Sequence, residues 1–87
     1  MAMHGDIAAR NRHAVAAIWN EMEPDGASIF YAKSDDGGTT WSTPKRLTEA
    51  KYSATQPKLV ATKNGFLAVW MEKNNQHSSE LAWYFFE

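Results

Sequence analysis

His13–Glu21 and Gly65–Glu72 are nearly one phrase written twice, each an apolar run that closes on Trp-x-Glu, with Trp19 and Trp70 standing 51 residues apart. Related runs precede both, Asp6–Arg10 before the first and Pro57–Ala61 before the second, with one residue of gap between the alignments. After a polar stretch, Ser28–Ala32 answers to Glu80–Tyr84. Three matches in the same order mark an internal repeat of about fifty residues, the first thing to establish because it constrains the whole architecture.

Each unit reads as β. The runs are short, rich in Val, Ile, Phe, Tyr and Trp, and broken by turn residues. Asn64-Gly65 separates two of them and is a strong hairpin signal; Pro24-Asp25-Gly26 separates another pair. The alanines of Ile7–Trp19 also suit a helix, but Asn11, Arg12 and His13 interrupt it and its counterpart contains Asn64-Gly65. The expected strands lie near 6–10, 14–20, 28–33, 43–47, 57–62, 66–72 and 80–86. Four-stranded meanders repeated at this period suggest propeller blades. The expected fold is all-β in a single domain over 1–87, with a first blade at 6–47 and a second at 57–87 that lacks its own fourth strand.

Between the third and fourth runs stands Ser34-Asp35-Asp36-Gly37-Gly38-Thr39-Thr40-Trp41. This fits Ser/Thr-x-Asp-x-Gly-x-Thr-Trp at every defined position and resembles the Asp box of the bacterial neuraminidase repeat, found in sialidases and many other propeller proteins. Flanking Ala-Lys-Ser, Trp-Ser-x-Pro-x-Arg-Leu and Gln56-Pro57-Lys58-Leu59 extend the resemblance over about residues 6 to 84. The residue types suit a tight reversal. Gly37 and Gly38 can take backbone angles closed to other residues. Asp36 and Ser34 can accept from main-chain N–H groups that the turn leaves unpaired. Trp41 is expected to fold back as an apolar plug burying roughly 150–250 Å². The role of Ser34, Asp36, Gly38, Thr40 and Trp41 is therefore structural, and the resemblance implies a ligand face on the opposite side.

Sialidases grip the substrate carboxylate with three arginines and add a proton donor and a Tyr–Glu nucleophile pair. This chain has Arg10, Arg12 and Arg46, the first two at a turn on the Asp-box side and the third in an outermost strand. The expectation is a non-catalytic module. His4, His13 and His77 lack metal-ligand spacing, and no Gly-x-Ser-x-Gly, P-loop or dinucleotide fingerprint occurs; no metal or cofactor is expected. The loops opposite the Asp box, Asn20–Ala27, Thr48–Ala54 and Glu72–Ser79, mark the expected ligand face. Trp19, Tyr52 and Trp70 could stack on a sugar there while Glu21, Glu72, Asn75 and Gln76 read its hydroxyls. Strand-end packing is the competing role for both tryptophans, and a solvated loop role for the two glutamates. Function stays open between a lectin-like glycan binder, a structural or protein-interaction module with no small ligand, a fragment of a larger sialidase-like propeller, and a glycosidase completed across subunits.

Nine basic residues balance ten acidic ones without a basic run, which argues against a nucleic acid or anionic membrane as partner. Met1–Gly5 is followed by no apolar stretch of the kind a secretion signal needs, and no apolar run is long enough to span a bilayer. No cysteine is present to staple the fold, and a chain of this length buries only about 60% of its unfolded surface. An uncovered Leu81–Phe86 strand is then costly. Roughly 400 Å² of apolar surface corresponds to about 10 kcal/mol at ~25 cal/mol per Å², against a net stability of ~5–15 kcal/mol. Self-association through this strand is the expected remedy, with three copies closing a six-bladed ring as the favoured arrangement. The alternative is that the C-terminal aromatics fold back into the chain's own core.

Overall fold

The computed structural model describes residues 2–49, 53–73 and 78–87. Seven strands follow one another: β1 (Ala2–Ala9), β2 (Val15–Glu23), β3 (Gly26–Ser34), β4 (Lys45–Arg46), β5 (Thr55–Ala61), β6 (Phe66–Lys73) and β7 (Ser79–Phe86). They form two antiparallel meanders, a four-stranded sheet ordered β1-β2-β3-β4 and a three-stranded sheet ordered β5-β6-β7. Among the described residues no helix is long and apolar enough to cross a membrane.

The turns explain the strand limits. Asn11 Oδ1 accepts from the N–H groups of His13 (2.8 Å) and Ala14 (2.9 Å), so the polar triplet between β1 and β2 is a side-chain-tied reversal. Pro24-Asp25 turns β2 into β3, and Gly26 beyond them takes a φ of 140°. Thr62 closes the β5–β6 hairpin: its N–H donates to the Gly65 carbonyl (2.8 Å), and its hydroxyl accepts from Gly65 N–H (3.0 Å). β4 is shorter than the expected 43–47. Pro44, directly before it, has no N–H to give to a ladder, and only Lys45 and Arg46 pair, with Tyr31 and Phe30.

The sheets stack face to face. Ala16 and Ile18 of β2 and Ile29 and Tyr31 of β3 are buried against Leu59, Phe66, Ala68, Trp70 and Phe86, with Ala54 completing the core. β5 lies along β1 and across β2, and Leu59 N–H donates to the Asp6 carboxylate at 2.9 Å. At the other end Arg10 ties the sheets by donating to the carbonyls of Thr62 (3.2 Å) and Lys63 (2.6 Å). The alternation of side chains along a strand leaves the outer face of β5-β6-β7 open, with Val60, Leu81, Trp83 and Phe85 exposed. The C-terminal aromatics thus divide. Phe86 folds into the core, as one expectation held, while Leu81, Trp83 and Phe85 of the edge strand stay outside, as the other did.

Candidate functional site

The Asp box is built as its residue types demand. Gly37 and Gly38 take φ values of 74° and 98°, a region in which a side chain is strained. Asp36 accepts from Thr39 N–H (3.0 Å), Thr40 N–H (2.9 Å), Ser34 Oγ (2.7 Å) and the Thr40 hydroxyl (2.5 Å). Ser34 Oγ accepts in turn from Gly38 N–H at 2.9 Å. These donors, the Thr40 hydroxyl first among them, hold the Asp36 carboxyl well below the usual carboxylate range. Gly37 N–H donates to the His13 carbonyl at 3.0 Å, docking the loop on the β1–β2 turn. Trp41 folds back and donates from its indole to the Gly38 carbonyl at 3.0 Å. It remains 40% exposed, so it covers the loop instead of plugging the core. Both carboxylate oxygens of Asp36 accept from groups of the loop itself, so its bonding serves the turn.

At the far end of the four-stranded sheet lies a polar cluster that sequence reasoning did not assemble. Arg46 donates two parallel bonds to Glu23, Nη1 to Oε1 at 2.8 Å and Nη2 to Oε2 at 2.9 Å, and a third from Nη1 to Ser28 Oγ at 2.9 Å. Its guanidinium carbon sits 4.9 Å above the Phe30 ring centroid. The Ser28 hydroxyl also donates to Glu23. The Arg46 bonds, with Ser28 second, lower the Glu23 carboxyl to about 2. Thr48 Oγ1 accepts from Ile29 N–H at 2.9 Å close by. The sequence signal available was Glu23 flanking the Pro24 turn with Arg46 two strands on; bringing them together requires both the β2–β3 and the β3–β4 registers.

The proposed sugar-reading residues are split among different surfaces. Trp19 is half-buried on the outer face of β2, where its ring stacks on Phe30 at 6.4 Å, and Glu21 lies on the same face. Trp70 is buried, 4% exposed, on the covered face of β6, and donates its indole N–H to Glu72 Oε1 at 2.9 Å. The structure therefore brings Trp70 together with Glu72 and separates both from Trp19 and Glu21 by the thickness of a sheet. Tyr52, Asn75 and Gln76 lie outside the described residues.

Two clefts open on the half of the three-stranded sheet remote from the Asp box. The larger, about 540 Å³, is lined by Gln56, Pro57, Lys58, Val69, Trp70, Met71 and Leu81, with Gly5 of β1 at its wall. The smaller, about 160 Å³, is lined by Ser53, Thr55, Met71, Glu72, Lys73 and Ser79. Ser53 and Gln56 border them with positive φ values of 48° and 56°, uncommon for residues with a side chain. Among the described residues, no three His, Asp or Glu side chains gather as metal ligands. Arg10 and Arg46 are engaged at opposite ends of the molecule, by the Thr62–Lys63 carbonyls and by Glu23.

Comparison of the chain with protein-family models, with curated proteins and with solved structures gives no match.

Proposed function

We propose that this chain is a non-catalytic module of the sialidase-like Asp-box propeller type, with its two sheets as neighbouring blades, and that its work is to associate with further blades. The reading rests above all on one observation: the outer face of β5-β6-β7 carries an apolar patch, with Val60, Leu81, Trp83 and Phe85 exposed. Exposed apolar patches of this kind mark interaction surfaces. The Asp-box hydrogen bonds support it as well, because Asp36 and Ser34 act on the loop itself. Three copies closing a ring of six blades is the favoured assembly. Sedimentation velocity from low to high micromolar concentration tests the reading: a species heavier than one chain is expected, and a clean monomer throughout would remove it.

A second reading, a lectin-like glycan binder, draws on the smaller cleft, where Glu72, Lys73 and Ser79 offer polar groups at the end remote from the Asp box. A glycan array separates the two. Saturable binding that free sugar competes away supports the lectin; silence from a stable oligomer supports the interaction module.

A further inference from the structure

The repeat and the strand registers together say which surface an associating partner covers. In the first sheet one rung runs Ile7–Ala17–Ala32 across β1, β2 and β3. Its equivalent in the second sheet is Leu59–Ala68–Tyr84 across β5, β6 and β7. The next rung runs Ala8–Ala16–Lys33 in the first sheet and Val60–Leu67–Phe85 in the second. Along β1 and β2 against β5 and β6, equivalent positions nevertheless have opposite fates. Ala16 is buried and Val60 half-exposed; Leu59 is buried and Ile7 62% exposed. The face of the first sheet that the second covers is thus the same face that the second sheet leaves open. The face by which the second sheet does the covering is the one that the first leaves open. The two sheets stack front to back, and the pair presents one unused front and one unused back.

We infer that a second copy of this chain docks head-to-tail, the open β1-β2-β3 face of one copy against the open β5-β6-β7 face of the next, repeating the packing between the sheets of a single chain. This rests on the association proposed above and names its partner and mode. Side-chain volumes support the match. On the covering side, Phe66 of the buried interface becomes the smaller Val15 on the open face. On the covered side, Ala8, Ala16 and Tyr31 become the larger Val60, Leu67 and Trp83. The smaller residue at 15 and the larger ones at 60, 67 and 83 change in opposite senses on the two faces, as close packing of a shared interface favours. An unrelated partner has no reason to fit this compensation. Because front meets back, the contact is heterologous, and such contacts close into rings when the rotation allows. The ends of the β7 strand need not pair edge to edge, which the sequence alone had suggested; the broad face is the docking surface.

Complementation of two face variants in the full chain tests this. Ile7→Glu spoils the open face of the first sheet and Trp83→Glu that of the second; each alone is expected to sediment as one chain. An equimolar mixture is expected to yield a species of two chains and nothing larger, since each variant retains the one face that the other needs. A variant that loses its far-UV β signal alone is expected to recover it in the mixture. An oligomer that survives Ile7→Glu, or a mixture in which neither the pair nor the recovered signal appears, overturns head-to-tail docking while leaving association itself standing. A wild-type chain that never exceeds one chain overturns both.

Discussion

Tyr31 in β3 and Phe86 at the end of β7 stack across the two sheets with ring centroids 4.1 Å apart. Phe86 also stacks on Phe66, its ladder partner, at 5.5 Å. A single residue near the C-terminus therefore anchors the edge strand to both sheets. The core it joins is small, and losing one aromatic from such a core costs roughly 3–5 kcal/mol, a large share of the ~5–15 kcal/mol available to a small domain. Phe86→Ala is expected to lower the urea midpoint sharply, and Phe86→Leu by less than half as much. Equal midpoints for the two would mean that the ring stack is not what holds β7.

The Asp box supplies a graded test of its own hydrogen bonds. Asp36→Asn keeps an oxygen able to accept from Ser34, Thr39 and Thr40 but gives up the carboxylate charge and the oxygen that receives the Thr40 hydroxyl. Asp36→Ala removes every acceptor and leaves turn N–H groups unmet. The expected order of melting temperatures is wild type, then Asn, then Ala, with Ala several degrees below wild type. Native mass should not change in either variant at a temperature where both are folded, because the loop lies at one end of the strands and away from the open faces.

Glu23 makes stability depend on acid. Its folded carboxyl is lowered to about 2, against about 4.3 for a free glutamate. The fold thus favours the charged form, and the stabilisation is fully present above the unfolded value and fades as pH falls from about 4 towards 2. Glu23→Gln should lower the melting temperature at neutral pH, and the gap from wild type should narrow through that window. Arg46→Lys replaces a bidentate fork by a point charge and should move the Glu23 titration, followed by carboxyl NMR, back towards the free value. An unmoved titration would show that Arg46 is not its cause.

How much of this was readable beforehand depends on whether a feature is local. All seven strands, both hairpin turns and the Asp-box turn follow from neighbours in sequence; β1 begins at Ala2, four residues before its expected start, and β4 is shorter than expected because Pro44 counts against a ladder. The sheet faces were not readable in the same way. Trp19 and Trp70 occupy equivalent positions in the repeat, yet one lies on an open face and the other in the core. A period-two pattern fixes which residues share a face and says nothing of which face finds a partner. The Glu23–Arg46 pair, 23 residues apart, and the division of Phe86 from Phe85 depend on that same packing order.

Gly65 offers the sharpest check on why a residue is where it is. Asn64-Gly65 reads as a hairpin signal, which ordinarily means that glycine supplies a positive φ. The hairpin forms, with Ala61 and Phe66 paired at its mouth, but Gly65 is not among the positive-φ glycines. What it supplies is room. A Cβ there would stand 2.5 Å from the Phe86 carbonyl oxygen, 2.7 Å from Phe85 Cζ and 3.2 Å from Glu87 Cα. The Phe85 ring can swing aside, whereas the Phe86 carbonyl is backbone in the ladder of the edge strand and cannot move without dragging Phe86 off Tyr31. Gly65→Ala is therefore expected to destabilise the chain by about 1–3 kcal/mol, the usual cost of overpacking, and to speed amide exchange at the C-terminal end of β7 more than in β2 and β3. If a φ requirement were the cause, Gly65→Asn, which tolerates positive φ, would be nearly neutral; a steric cause makes asparagine at least as damaging as alanine, and urea denaturation of the two variants side by side decides between them.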